Sequence, residues 1–132
     1  MYKRQAHARQ TLALRDGGPA RLARVNSFVD GAAVAQIGAA NYDRLSWVPR
    51  DHVLLAPEDR ICVTMLEMLN VEGIVLEPAG ALAVDALPEL ADEIRGKTVV
   101  CVTSGGNFDF ERLPEVKAVS YTHLTLPTIY SV

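Results

Sequence analysis

The fold predicted for this chain depends on the stretch Lys97 to Thr103 (K-T-V-V-C-V-T), which runs directly into Ser104 to Asn107 (S-G-G-N). Its continuous β-branched character is typical of a central strand in a parallel sheet. A shorter apolar run, His52 to Ala56, is also expected to be a buried strand, and Ile74 to Leu76 is a further apolar run. We therefore predict an α/β protein with an open, mainly parallel sheet and flanking helices. Ligands in such sheets collect beyond the carboxyl ends of the strands, where Ser104 is placed.

Helical signals lie between these runs. One covers roughly Gly38 to Trp47. A second begins at Pro57, where proline and two acids suit a first turn, and continues to about Asn70. Its apolar residues share one face: Ile61, Cys62, Met65, Leu66 and Leu69. A third begins after Glu77 to Ala81 (E-P-A-G-A), whose small residues would allow another backbone to approach closely, and is expected to bend or restart at Pro88.

Composition excludes several classes of protein. The chain has 132 residues, is nearly half apolar and carries a formal net charge of -3, with its basic residues scattered. This pattern argues against a nucleic-acid partner. No run reaches the roughly 20 apolar residues that span a bilayer, and the start lacks the apolar core of a secretory signal, so we expect no membrane association and a cytoplasmic location. The two cysteines have no Cys or His at metal-ligand spacing, so we predict reduced thiols and no metal site.

The two ends differ from the rest of the sequence. Val119 to Val132 contains no acidic residue, lysine or arginine. Tyr2 to Gln5 can be encoded by TATAAGAGACAG, and the opposite strand of that DNA, shifted in frame, encodes Val119 to Tyr121. Both ends, Met1 to Gln5 and Val119 to Val132, therefore resemble translated sequencing-library adapter. We expect the natural segment to be Ala6 to Ala118, cut from a longer protein, with neither end belonging to the fold.

Several residues could carry chemistry when taken alone. The Ser104 to Asn107 loop could cradle a phosphate or meet a ring atom, or could be a tight turn. Glu77 is either a carboxylate entering an apolar environment or a solvated acid at a helix start. In the pair Asp30-Gly31, the glycine can adopt positive φ or let a ligand approach the backbone. No Ser/His/Asp triad is supported, and no catalytic residue is assigned within the chain.

Taken together, four motifs resemble the later catalytic domain of threonine ammonia-lyase (threonine dehydratase), a fold-type-II pyridoxal-phosphate enzyme with a tryptophan-synthase-β-like domain. In chain order they are V-N-S-F-V-D-G-A-A-V, V-L-L-A-P-E-D-R-I, I-V-L-E-P-A-G-A-L and V-V-C-V-T-S-G-G-N-F-D-F-E-R-L-P-E-V-K. The resemblance covers nearly all of residues 6 to 118. It implies loss of water from threonine to give an enamine, whose hydrolysis gives 2-oxobutanoate and ammonia, a step of isoleucine biosynthesis.

The resemblance also implies positions for the cofactor, pyridoxal 5'-phosphate. Ser104 matches the serine whose hydroxyl meets the pyridine nitrogen, and Gly105 follows it closely. Glu77 matches an acid near the cofactor ring, and Gly31 matches a glycine whose backbone lines the same pocket. The partners implied are a small amino-acid substrate and further copies of the parent protein in a homo-oligomer.

Other parts of the family pattern have no match here. They are the cofactor-binding lysine in an S-x-K-x-R-G-type motif, an asparagine near the cofactor's hydroxyl group and a tetraglycine phosphate loop. We therefore expect the chain alone to be inactive. Serine dehydratase, serine racemase and hydroxyaspartate ammonia-lyase share much of the pattern and remain alternatives. A phosphate-binding α/β module without catalytic activity is an alternative of a different class.

Overall fold

The computed structural model describes residues 17 to 125, with side chains described as far as residue 121 except that of Arg50. Within that range, five α-helices are separated by 3-10 turns and loops. The helices are α1 (Ala39–Leu45), α2 (Glu58–Asn70), α3 (Leu82–Asp85), α4 (Ala91–Ile94) and α5 (Leu113–Thr125). The 3-10 turns are Asp30–Ala32, Arg50–His52, Leu87–Leu90 and Phe110–Arg112. None of the helices in the described part of the chain is long and apolar enough to cross a membrane.

The helices that were predicted from residues close together in the sequence are confirmed. Helix α1 follows Gly38 at its N-cap, and α2 follows Pro57 with Glu58 and Asp59 in its first turn. The third predicted helix is interrupted at Pro88, as expected, and consists of α3, the turn Leu87–Leu90 and α4. Proline lacks the N–H that would continue the α-helical hydrogen bonds, which explains the break.

The predicted parallel sheet is not seen among the described residues, which contain no β-strand and one isolated antiparallel bridge, between Arg21 and Gln36. Residues 98 to 103 make no backbone hydrogen bond to another described residue. The side chains of Val99, Val100 and Val102 are 44%, 85% and 75% exposed. A parallel strand needs neighbouring strands for its N–H and C=O groups, and the described residues supply none. β-branched composition alone therefore does not produce a strand here.

The core forms where α2 packs against α5. Ile61, Cys62 and Met65 of α2 are buried, and Val116 of α5 is 1% exposed. The amphipathic spacing in α2 explains this contact, because residues three and four positions apart share one face of a helix. Phe28, Val29, Ala32 and Leu76 extend the same core toward the loops. The core thus holds loop segments against one helix pair.

Helix α5 crosses the predicted boundary at Val119. Val119 packs against the core, and Ser120 is buried, with its hydroxyl donating a 2.8 Å hydrogen bond to the Lys117 carbonyl. The side chains beyond Tyr121, and Met1 to Gln5, lie outside the described residues. The adapter origin of both ends, and the natural segment of residues 6 to 118 between them, stay predictions.

The two cysteines are expected to react at very different rates. Burial, together with Glu58, Asp59 and Glu115, raises the pKa of the Cys62 thiol to about 12. Cys101 is only partly buried. Because the thiolate is the reactive form, Cys62 should react with a disulfide reagent at pH 8 at least about 100-fold more slowly than Cys101. Mass spectrometry of the labelled peptides measures both rates. Similar rates in the folded chain, with equal rates in urea as control, would contradict the buried position of Cys62.

Candidate functional site

Three separate segments meet at the place where the sequence predicted a ligand. The first is the turn Asp30–Ala32, the second is the loop from Glu77 to Gly80 before α3, and the third is Ser104 to Gly106. A backbone hydrogen bond of 3.0 Å from the Glu77 N–H to the Gly105 carbonyl joins the second and third segments. All four residues that the sequence singled out, Gly31, Glu77, Ser104 and Gly105, therefore lie in one region.

Gly105 requires glycine for two reasons. Its φ is +87°, in the left-handed region that side chains disfavour. A Cβ atom there would also overlap the Glu77 side chain, which lies directly over the glycine backbone. The missing side chain at Gly105 thus creates the space that the Glu77 carboxylate occupies.

Gly80 allows the second and third segments to touch. A Cβ atom at Gly80 would overlap the Ser104 carbonyl oxygen and lie 2.5 Å from the Gly105 carbonyl oxygen. The Gly80 N–H itself donates to the Glu77 carbonyl at 2.9 Å. The sequence prediction that the small residues of this loop permit close backbone approach is confirmed.

Gly31 is a glycine because of close contact, and its φ is not positive. A Cβ atom there would lie 2.9 Å from the Ala79 Cβ and 3.3 Å from Glu77 Oε1. Asp30 supports the turn, since its carboxylate accepts a 2.8 Å hydrogen bond from the Gly31 N–H. The sequence left two roles open for Gly31. The structure excludes a positive φ, and it shows that other atoms approach the Gly31 backbone closely.

The polar groups at this meeting point have unused hydrogen-bonding capacity. Among the described residues, neither the Glu77 carboxylate nor the Ser104 hydroxyl makes a side-chain hydrogen bond or ion pair. Ser104 and Gly105 are exposed, and Glu77 is partly exposed. One carboxylate and one hydroxyl thus lie beside Gly31 and Gly105 with hydrogen-bonding capacity for a ligand.

Sequence reasoning missed the residues that hold the first segment in place. Asn26 accepts a 3.0 Å hydrogen bond from the Phe28 N–H, and its amide donates to Glu58 Oε2 at 2.8 Å. Arg112 holds the other side, with its guanidinium 5.3 Å from the centre of the Phe28 ring. The sequence offered little signal for either residue, because their partners lie 32 and 84 positions away.

A buried ion pair, also missed, fixes α3 behind the site. Arg60 of α2 donates to both carboxylate oxygens of Asp85 at 2.8 to 3.0 Å, and to Glu89 at 2.6 Å. The Asp85 side chain is 0% exposed and also accepts from the Thr64 hydroxyl at 3.1 Å. The hydrogen bonds to Asp85 raise the pKa of the Arg60 guanidinium above its usual value. The helix that follows the Glu77 to Gly80 loop is thereby attached to α2.

Comparison with known proteins identifies relatives of this chain. The chain is 44% identical over 104 residues to the biosynthetic L-threonine dehydratase IlvA of Halalkalibacterium halodurans, covering 79% of this chain and 25% of that protein. It is 49% identical over 96 residues to the corresponding protein of Bacillus subtilis, covering 73% and 22%. The chain thus spans about a quarter of the length of these curated relatives. No family model matches the sequence.

Solved structures give a consistent result. The processed form of threonine deaminase isoform 2 from Solanum lycopersicum superposes with a TM-score of 0.73 at 25% identity, covering 87% of this chain and 34% of that one. The T.th. threonine deaminase gives a TM-score of 0.70 at 25% identity, covering 80% and 34%. The predicted structural relationship to threonine deaminase is therefore confirmed. The predicted sheet itself is not seen among the described residues. From its sequence identity and its structural likeness together, this chain belongs to the threonine dehydratase family and corresponds to one segment of its members.

Proposed function

We propose that this segment forms one wall of a pyridoxal 5'-phosphate site in an enzyme that converts threonine into 2-oxobutanoate and ammonia. The observation that carries the proposal is the meeting of Gly31, Glu77, Ser104 and Gly105 in one region. The names of the relatives, biosynthetic L-threonine dehydratases, support threonine as the substrate and a biosynthetic role. We propose isoleucine biosynthesis as that role.

The residues present fit the edge and face of the cofactor ring. Gly31 and Gly105 are exposed, and the Glu77 side chain lies against both of their backbones. A flat ring that approached these glycines would therefore meet the Glu77 carboxylate. The Glu77 carboxylate and the Ser104 hydroxyl are available to polar atoms of a ligand. When bound, pyridoxal phosphate supplies an electron sink that favours loss of the substrate's α-proton.

In this proposal Ser104 hydrogen-bonds to the pyridine nitrogen. A neutral hydroxyl does not hold a proton on that nitrogen as a carboxylate would, so the electron sink is weaker. With Ser104 at that position, departure of the substrate's β-hydroxyl group would be favoured over transamination. Ser104 thus directs the choice between elimination and transamination.

The chain by itself should bind the ring weakly and should not turn over threonine. The family's lysine motif and tetraglycine phosphate loop have no match in the sequence, and Lys97 and Lys117 stand in other contexts. A group that forms a covalent bond to the cofactor is needed for the reaction. In this proposal, the longer parent protein binds the amino-acid substrate and assembles into homo-oligomers.

We expect pyridoxine 5'-phosphate, which lacks the reactive aldehyde, to shift the backbone amide resonances of Gly31 and Gly105 in the 132-residue chain. The amides of Gly73 and Gly96 serve as internal controls, because no other group lies within 4 Å of a Cβ position at either residue. A ¹⁵N-edited NMR titration measures all four. Ser104→Ala should weaken the shifts at Gly105, since one hydrogen bond to the ligand is lost.

The same titration separates the alternatives. Inorganic phosphate that reproduces the shifts would favour the non-catalytic phosphate-binding module, because it carries no ring. Shifts of equal size at Gly73 and Gly96 would indicate nonspecific binding and contradict the proposed site. If neither Gly31 nor Gly105 moved, the proposed function would fail at its first step.

A further inference from the structure

Arg112 contacts the part of the chain around the Gly31 turn, and it follows the Ser104 to Gly106 segment in the sequence. It ends the 3-10 turn Phe110–Arg112, shortly after the Ser104 to Gly106 segment in the chain. Its guanidinium lies 5.3 Å from the centre of the Phe28 ring and donates a 3.2 Å hydrogen bond to the Phe28 carbonyl. The Asp30 carboxylate lies 3.9 Å away. One side chain therefore contacts Asp30, the first residue of the turn that contains Gly31, and Phe28, two positions before it.

The position of Arg112 is itself well defined. Glu115 of α5 accepts a 3.1 Å hydrogen bond from Arg112 Nε, and the side chain of Arg112 is only 28% exposed. Asp109 caps the turn by accepting a 3.0 Å hydrogen bond from the Glu111 N–H. Because the guanidinium is planar and its donors point in fixed directions, these partners determine its orientation closely.

The turn that contains Gly31 depends on such external support. It is a single 3-10 turn, with hydrogen bonds of 3.0 Å from the Ala32 N–H to the Val29 carbonyl and from the Ala33 N–H to the Asp30 carbonyl. Such short turns have poorer hydrogen-bond geometry than α-helices and little stability of their own. At the same time Gly31 is held in close contact with Glu77. A small displacement of the turn would open or close that contact.

We propose that Arg112 is a positioning residue, which sets the distance of the Gly31 turn from Glu77 and Gly105 without touching the ligand. This inference rests on the proposed function, because the distance between the Gly31 turn and Gly105 matters only if a ring binds between their backbones. The anchoring itself follows from the contacts of Arg112 with Phe28, Asp30 and Glu115. The 3-10 turn that follows the Ser104 to Gly106 segment would thus fix the opposite side of the site.

The test compares three variants of the 132-residue chain by amide hydrogen exchange and by NMR. Arg112→Gln should speed exchange at the Ala32 and Ala33 amides by about tenfold and shift the Gly31 resonance, because a charge-assisted hydrogen bond and a cation–π contact are lost. Amides in the middle of α2 should be unaffected. Arg112→Lys retains the charge near Asp30 and the Phe28 ring, so it should give an intermediate effect.

Arg95→Gln is the matched control. Arg95 also pairs with an acid three positions away, Asp92, but the two side chains are 78% and 96% exposed. It should change neither the exchange rates nor the Gly31 resonance. Equal behaviour of the Arg112→Gln and Arg95→Gln chains would overturn the proposal. So would faster exchange throughout α2 in both Arg112 variants, because Arg112 would then support the fold generally.

The outcome is independent of whether pyridoxine 5'-phosphate binds. If the ligand moves no glycine in the unsubstituted chain, the proposed function fails, while the exchange rates still decide the role of Arg112. If the ligand binds, Arg112→Gln should also weaken its shifts at Gly31 more than those at Gly105. Arg112→Lys should restore part of the difference. Equal weakening at both glycines in Arg112→Gln would overturn the specific positioning of Gly31.

Discussion

Replacing Asp85 by alanine is expected to lower the free energy of unfolding by about 3–5 kcal/mol, because removing one partner of a buried ion pair leaves the other uncompensated. The Asp85 side chain is fully buried and accepts hydrogen bonds from Arg60 and Thr64. The Arg60 guanidinium would keep Glu89 as its partner, which places the expected loss toward the lower end of that range. Urea denaturation followed by circular dichroism measures the change.

The control for this prediction is an ion pair at the surface. Asp92→Ala removes the partner of Arg95, where both side chains are largely exposed, and should cost less than about 1 kcal/mol. Asp85→Asn retains the shape of the side chain and removes its charge, so it separates packing from charge. If Asp85→Ala were no more destabilising than Asp92→Ala, the buried network would not hold α3 against α2.

Replacing Gly80 by alanine is expected to destabilise the chain by about 1–3 kcal/mol, the usual cost of overpacking a close contact. The new Cβ would meet the carbonyl oxygens of Ser104 and Gly105, and these belong to backbone that a rotamer change cannot move. The Ser104 segment would have to shift. We therefore also expect the hydrogen bond from the Glu77 N–H to Gly105 to weaken, which amide exchange at Glu77 would show as a faster rate.

Gly18→Ala is the matched substitution for Gly80→Ala. Gly18 has no positive φ, and its Cβ position has no atom within 4 Å. Alanine there should be neutral or should stabilise slightly, since it reduces the freedom of the unfolded chain. The same loss of stability in both variants would mean that the contact between Gly80 and Ser104 is not tight.

The site residues were accessible from the sequence to different degrees. From the sequence, Gly31 was expected to have positive φ or to allow close approach, and the small residues after Glu77 were expected to allow close backbone approach. The structure brings both segments together with Ser104 and Gly105. Arg112 could not be found in this way, because an arginine in a polar loop has many possible partners. Its role depends on Phe28, which is 84 residues distant in the chain.

Sequence alone was enough to specify the elements whose stabilising interactions are local. Helix α2 has its proline, its acids and its apolar stripe within one stretch, and the hydrogen bonds of an α-helix join residues four positions apart. The break at Pro88 is equally local. These features predict a helix and its ends without knowledge of any other part of the chain.

The conformation of Lys97 to Thr103 and the partners of Asp85 emerged only from the packing of distant segments. A strand is completed by hydrogen bonds to a neighbour distant in sequence, and among the described residues this apolar run has no such neighbour. In the sequence Asp85 is one acid among many, and it becomes a buried anchor because α2 brings Arg60 to it. Hydrogen bonds within a helix are specified by sequence spacing, whereas pairing between distant segments depends on which of them folding brings together.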